Sequence, residues 1–507
     1  MGLVDALVLA SSSVSFLGAV AVLLVTYIMS STFFSLKKDR KEPPGPRPLP
    51  LLGNLPQLDL GRMYFSLVEL SKKYGSVFTV YLGPKKVVVL AGYKTVKEAF
   101  VNHAEEFGER QKIRLLHEFN KGNGVVWANG DSWKEMRRFV IRSLKDFGMG
   151  KSLCEDKIIE ESHHLVGEIE KFKVSGEAFD TTQTLSFAVA NIICSMVYGS
   201  RFEYDDPEFA SLVDRMMIYH NLLATSSAQV YSLCPSIGKW FPNTKEFFKV
   251  FSAIMTFNSE LFCHLKETLN PQKCRGFVDA FLVQKQHLEE SGITNSHFHS
   301  ENLMMTVIQL FAGGTDSTSS TLRWSLLLMA KYPKIQDQVR EELLRVIGGH
   351  EVQLEDRKKL PFTNAVLHEI QRLANVVPLA LPHKTSRDVT FQGYFIEKGT
   401  TVFPLLGSVL HDESEWENPH SFYPAHFLDR DGNFVKPDAF MPFSAGRRVC
   451  IGENLAKMEL FIFFTTLLQR FRFTPPPGVS EEELDLTPHV GLSFDPSAHK
   501  LCAVSVL

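Results

Sequence analysis

An excess of charge of one sign is what this 507-residue sequence most plainly lacks: 54 lysines and arginines stand against 57 aspartates and glutamates, a formal net charge of −3. Without an overall positive field the chain cannot collect phosphates at long range, so nucleic acid is not an expected partner. Cysteine is scarce too: the seven are scattered and contain no CxxC pair. That pattern excludes a disulfide framework and reads as reduced thiols in a cytosol-facing protein. Neither a G-x-G-x-x-G fingerprint nor a P-loop is present, so the chain shows no nucleotide site of its own. Charged residues at 22% and hydrophobic ones at 44% exclude disorder, collagen and coiled coil as descriptions of the whole.

Residues 6–34, by contrast, carry no charged side chain, and 14–29 are nearly all apolar. A spanning helix needs ~20 such residues. No basic residue precedes the run, which is also longer than a signal-peptide core, so residues 1–36 read as a membrane anchor. Lys37, Lys38, Arg40 and Lys41 follow it and should hold the remaining chain on the cytosolic side. Five prolines in Pro43-Pro44-Gly45-Pro46-Arg47-Pro48-Leu49-Pro50 make residues 37–50 a basic, stiff hinge that reads as a linker.

Past Pro50 there is no second linker and no repeat, so residues 51–507 are treated as one domain, mainly α with a smaller β portion (α+β). Residues 77–82 and 86–90 are short, β-branched and separated by Gly83-Pro84, which suits a hairpin. Residues 302–332 run without proline up to Pro333 and fit one long helix crossing the core. Pro361 can open another helix continuing to 373, residues 374–448 read as loops with small strands, and 451–471 are helical again.

The most informative stretch is Phe443-Ser444-Ala445-Gly446-Arg447-Arg448-Val449-Cys450-Ile451-Gly452, a cysteine just ahead of a helix. Free N–H groups at a helix start lower a thiol's pKa and favour the thiolate as a metal ligand. Gly446 and Gly452 would let backbone approach a flat cofactor, and Phe443 can screen the sulfur. Glu369-Ile370-Gln371-Arg372 places opposite charges at i and i+3 of a helix. Gly313-Gly314-Thr315-Asp316-Ser317-Thr318 combines two glycines, which weaken a helix and permit a kink, with an acid and a hydroxyl suited to proton transfer. Trp133 and Arg137, at i and i+4, offer an indole N–H and a carboxylate-binding fork.

Residues 443–452 resemble the haem-thiolate signature F-x-x-G-x-R-x-C-x-G of the cytochrome P-450 superfamily. The E-x-x-R pair, the [A/G]-G-x-[D/E]-T motif and the W-x-x-x-R helix follow the family's order, so the resemblance spans essentially the whole chain and looks closest to microsomal vertebrate members of family two. It implies the cytochrome P-450 fold, a single large haem domain behind one transmembrane helix. It implies Cys450 as axial ligand of the iron of haem b, with Trp133, Arg137, His383, Arg448 and, as a weaker candidate, Arg110 around the propionates. Phe443 and Gly452 belong to the same cofactor site. Glu369, Arg372 and His426 would brace the cysteine loop, His426 standing where the family's P-E-R-F motif has arginine. Asp316 and Ser317 would relay protons to dioxygen, Ser317 occupying the family's threonine position.

The implied activity is a monooxygenase acting on a lipophilic small molecule such as a xenobiotic, fatty acid or steroid. Electrons would come from NADPH through a separate NADPH-cytochrome reductase, with cytochrome b5 as an accessory donor, at the endoplasmic reticulum membrane (microsomes). Lys134, Arg138, Arg447 and Lys457 form a candidate docking patch. The substrate pocket is expected around residues 113–125, 207–242, 310–315, 376–381 and 491–494. Two alternatives stand beside this reading: a reductase-independent haem-thiolate isomerase, and a membrane-anchored haem-binding or interaction protein without turnover.

Overall fold

The computed structural model describes residues 41–150, 152–175 and 177–506, together with the isolated positions 18, 22 and 25. The anchor reading therefore falls outside the described residues, apart from those isolated positions. Among the described residues no helix is long and apolar enough to cross a membrane.

Near the start, β1 (Val77–Leu82) and β2 (Lys85–Ala91) form the expected hairpin, paired antiparallel from Val77 with Leu90 to Leu82 with Lys85. Gly83 turns the chain at φ +61°, a conformation glycine adopts without steric cost. The elements that position the site then follow in chain order as β3 (Glu109–Arg110), α1 (Gly130–Asp146), α2 (Thr181–Val197), α3 (Pro207–Leu223), α4 (Ser300–Lys331), α5 (Pro361–Ala374), β4 (His383–Lys384), β5 (Thr401–Leu405) and α6 (Glu453–Arg470). The five strands make one sheet in the order β1-β2-β5-β4-β3, in which β2 and β5 alone run parallel. Helices outnumber strands throughout, and the sheet packs its own smaller cores.

Helix α4 crosses the main core and packs most extensively on α2. It runs through Gly313 and Gly314 as one helix. Gly314 serves a contact: a Cβ there would collide with Ile193 of α2, whereas Gly313 faces open space. Lys331 closes the helix against its negative end, and Pro333 starts the next one as its first residue. Helix α6 begins at Glu453 rather than 451 and gives way to a strand at Phe471.

The proline-rich segment is laid on the domain rather than strung between two bodies. The Thr79 N–H donates to the Pro44 carbonyl at 2.7 Å, Asn54 Nδ2 donates to the Pro46 carbonyl at 3.2 Å, and a side chain at Gly45 would strike the Thr79 carbonyl. Unsatisfied strand groups recruit it, which composition alone could not reveal.

Candidate functional site

Cys450 lies in the turn that leads into α6, and its own N–H donates to the Phe443 carbonyl at 3.1 Å. The N–H groups of Gly452 and Glu453 point at the sulfur, as the sequence predicts for a helix start. Their effect is outweighed, however: burial pushes the thiol above its usual range, so the helix end alone does not produce a thiolate. The side chain is nonetheless accessible by surface area. A metal ion binding there would displace the proton, as it does for any coordinating thiol. At φ +70° the missing side chain of Gly446 makes room for the Phe100 carbonyl. Gly452 is uncrowded, the nearest atom to a Cβ there being the Cys450 sulfur at 3.9 Å.

Beside this turn the fold gathers three arginines, Arg110, Arg137 and Arg448. Arg448 donates from Nε to the Gly108 carbonyl at 2.8 Å and from Nη2 to the Ala128 carbonyl at 2.9 Å and to Asn129 Oδ1 at 2.8 Å. Its guanidinium sits 3.6 Å from the centre of the Trp133 ring. Arg110, the weaker candidate, is fully part of the group: Nη1 donates to the Leu381 carbonyl at 2.7 Å, and its backbone is clasped by Asn129. Arg137 reaches the Val449 carbonyl, next to Cys450, at 2.6 Å. Burial, then neighbouring arginines, bring Arg110 down to about 9 and Arg448 down to about 8. No carboxylate is hydrogen-bonded to any of the three among the described residues, and Arg110 Nε, Arg448 Nη1 and Trp133 Nε1 are buried without a partner. A cluster with three orphaned donors and no carboxylate hydrogen-bonded to it calls for an anion, and the two carboxylates of haem would meet that need.

His383 stacks on Phe100 and donates Nδ1–H to the Phe107 carbonyl at 2.7 Å. Burial, then the Arg110 charge, holds it well below its ordinary range. It can donate to an anion only with both nitrogens protonated, a state that the anion itself would favour by offsetting Arg110.

The Glu369–Arg372 pair forms and is buried. Glu369 and Arg372, both 0% exposed, form a two-pronged pair at 2.7 Å and 2.7 Å. Arg372 also donates to the carbonyls of Leu410, Pro419 and Ser421, and Glu369 accepts from the Tyr423 N–H at 2.8 Å and His426 Nδ1 at 3.0 Å. The other His426 nitrogen meets the Glu417 carbonyl. A surface i, i+3 pair would be worth little, but this buried one ties together backbone and side chains between Leu410 and His426.

On α4, Gly313 is exposed and Ser317 half-buried one turn later on the same face, with Ser317 Oγ donating to the Gly313 carbonyl at 3.0 Å. Thr318 is buried and meets Glu459 of α6, whose carboxyl is driven well above its usual range by burial. Ser317, not Thr318, is thus the alcohol on the open face, while the Thr318–Glu459 contact ties α4 to the helix that begins just past Cys450. Asp316 points along the adjoining stripe: it accepts from Ser493 Oγ at 2.7 Å and lies 3.6 Å from His220 Nδ1 on α3. Burial opposes both charges, yet the pair prevails, with Asp316 held below and His220 above their ordinary values. A cavity of about 580 Å³ opens at this pair and not at Cys450. Cys450 alone among these groups is a soft metal ligand.

Three of the four candidate docking cations have acidic neighbours: Lys134 with Asp131 at 3.0 Å, Arg447 with Glu105 at 2.5 Å and Lys457 with Glu453 at 2.5 Å. Asn129, which ties Arg110 to Arg448, was not singled out from sequence, nor were His220 and Ser493. All seven cysteines are free, in line with the reduced state inferred from their spacing.

The family model described as Cytochrome P450 matches residues 43–503. Cytochrome P450 2K1 of Oncorhynchus mykiss is 59% identical over 505 residues, covering 100% of both chains. Cytochrome P450 2B4 of Oryctolagus cuniculus is 44% identical over 448 residues, 88% of this chain and 90% of that one, and Cytochrome P450 2A13 of Homo sapiens is 44% identical over 476 residues, 93% and 95%.

Proposed function

Since the chain belongs to the cytochrome P450 family and is a monooxygenase, we propose that it oxygenates a lipophilic small molecule at the endoplasmic reticulum membrane with electrons from an NADPH-dependent reductase. The observation that carries the site assignment is the arginine group beside Cys450, which has orphaned donors and no carboxylate hydrogen-bonded to it among the described residues. Arg110, Arg137, Arg448 and Trp133 would hold the two carboxylates of haem, and Cys450 would bind its iron. When bound, haem supplies dioxygen activation, which thiolate donation favours.

The chain's own residues do the rest. The Gly452 and Glu453 N–H groups steady the sulfur's charge once metal has displaced its proton. Glu369, Arg372 and His426 fix the loop that carries it. Ser317 presents its hydroxyl on the open face of α4 and can pass a proton at Oγ, while Asp316, paired to His220 and lining the cavity beside α4, can exchange protons with water. Replacing Ser317 by alanine should lower product formed per NADPH consumed by about tenfold, with the unused oxygen released as peroxide, because positioned proton transfer contributes ~10²–10⁴ in rate. Simultaneous measurement of NADPH, oxygen and product checks this; unaltered coupling would remove Ser317 from the relay.

Membrane attachment is supported by the uncharged residues 6–34 and the lysines and arginine that follow. For the reductase we assign the face bearing Lys134, Arg138, Arg447 and Lys457, with cytochrome b5 sharing it. Reversing Lys134 and Arg138 to glutamate should slow the first electron about tenfold at low salt and flatten its ionic-strength dependence. Stopped-flow reduction at several salt concentrations measures both, and identical rates would exclude this face.

A further inference from the structure

Arg323 lies on α4 about two helical turns past Asp316 and is only 9% exposed. Its Nε is buried without a partner, and among the described residues its guanidinium is linked to Asp495, Asp180 and Asp316 only by charge acting through space. Each of those acids is engaged elsewhere. Asp316 accepts from Ser493 Oγ at 2.7 Å and lies 3.6 Å from His220 Nδ1, Asp495 accepts from Ser320 Oγ, and Asp180 caps α2 by accepting from the Thr182 N–H at 2.7 Å. Burial outweighs all three acids and holds the guanidinium below its ordinary range. The donors of a buried cation cost stability until something accepts from them.

This guanidinium lines the cavity of about 580 Å³ that α4 shares with α2, α3 and the hairpin in which Pro488–Val490 pairs with Phe494–Pro496. Lining positions 315, 316, 319, 320 and 323 recur at helical spacing, so one stripe of α4 is turned to this space. On the same stripe the Thr315 hydroxyl is also buried without a partner. The other walls bring apolar side chains, among them Met216 and Met217 of α3 and Val490 of the hairpin, and the exposed Arg62 adds a second cation to the lining. Unused donors beside apolar walls suit a ligand with one anionic group on an uncharged body. A planar, singly charged carboxylate matches the guanidinium fork, whereas a phosphate dianion would meet twice the repulsion from Asp316 and Asp495. Burial, then the charge of Asp316, raises the Asp495 carboxyl, so a proton there costs less than on an ordinary aspartate and eases the entry of an anion.

We propose that this cavity is a ligand site additional to the one at Cys450, and that it takes a monocarboxylate carried on an apolar body. Arg323 receives the carboxylate, and Met216, Met217 and Val490 receive the body. Cys450 does not line the cavity, and the proposal goes beyond the haem-thiolate reading without resting on it. A bound carboxylate gives Arg323 the hydrogen bonds that the fold withholds, so binding should also raise the melting temperature of the folded chain.

The experiment uses the full-length protein and its Arg323→Met and Arg323→Lys variants. Each is titrated by calorimetry with para-bromobenzoate and with para-bromobenzyl alcohol as the neutral counterpart. Crystals are soaked with the acid, so that the anomalous scattering of bromine locates it. Wild type should bind the acid at least about tenfold more tightly than the alcohol, Arg323→Met should lose that preference, and Arg323→Lys, which keeps the charge without the fork, should retain part of it. Bromine should lie inside the cavity, with the carboxylate on Arg323. Arg323→Met exchanges an unpartnered buried cation for an apolar side chain and should fold; if it does not, Arg323→Lys and the comparison of acid with alcohol decide. Equal binding of acid and alcohol by wild type overturns the proposal, as does an acid affinity unaltered by either substitution. Bromine found only outside the cavity, or inside it in crystals without binding in solution, overturns it equally.

Discussion

Replacing Cys450 by alanine should leave a folded chain whose turnover falls by more than about 100-fold, since loss of outer-shell partners already costs ~10–100-fold and this change removes the ligand itself. The fold should survive because the side chain is accessible and contributes no packed core volume, and its backbone bond to Phe443 is unaffected. Far-ultraviolet circular dichroism and melting temperature would report the fold, and NADPH-driven oxygenation with added reductase would report turnover. Without the sulfur, the arginines and Trp133 still offer their donors, so some haem should remain bound with an altered spectrum. Undiminished turnover in this variant would place the iron ligand elsewhere.

The second large effect concerns stability. Changing Arg372 to leucine strands Glu369, which is 0% exposed, as an uncompensated buried charge and frees the carbonyls of Leu410, Pro419 and Ser421. Breaking a buried pair by removing one partner costs ~3–5 kcal/mol, a large part of the stability of a typical domain. The expected outcome is loss of haem-loaded protein on expression and a collapse of resistance to denaturant. Changing His426 to arginine provides a contrast. It restores a permanent cation on the Glu369 Oε2 side, and haem retention should be preserved. Equal stability of wild type and Arg372→Leu, by denaturant titration and haem retention, would show that the pair does not brace the cysteine turn.

Much of this architecture can be read in the residues because its chemistry is local. Trp133 and Arg137 lie one turn apart, as do Glu369 and Arg372, so helix periodicity alone places each pair on a face. The hairpin at Gly83-Pro84 and the long helix ending before Pro333 follow from turn and proline chemistry in the same way. Gly446 and Gly314 were legible as special positions, but the contacts they make were not: a Cβ would strike the Phe100 carbonyl and Ile193, hundreds or at least a hundred residues away in sequence. The hydrogen bonds that Gln309 and Asn302 accept from residues 124–126 were invisible for a related reason, because they come from backbone N–H groups, and backbone carries no residue code. The expectation of a lowered Cys450 thiol pKa reversed because a helix end acts over one turn while burial acts from every side.

One spectrum tests the central claim most directly. Purified wild-type protein, expressed with ample porphyrin precursor, is reduced and exposed to carbon monoxide, and its difference spectrum is recorded. A thiolate at Cys450 predicts the strongly red-shifted absorption band of a haem carbonyl with sulfur opposite the gas, absent from Cys450→Ala. A band at the shorter wavelength typical of an imidazole ligand, or a colourless protein, would contradict the account.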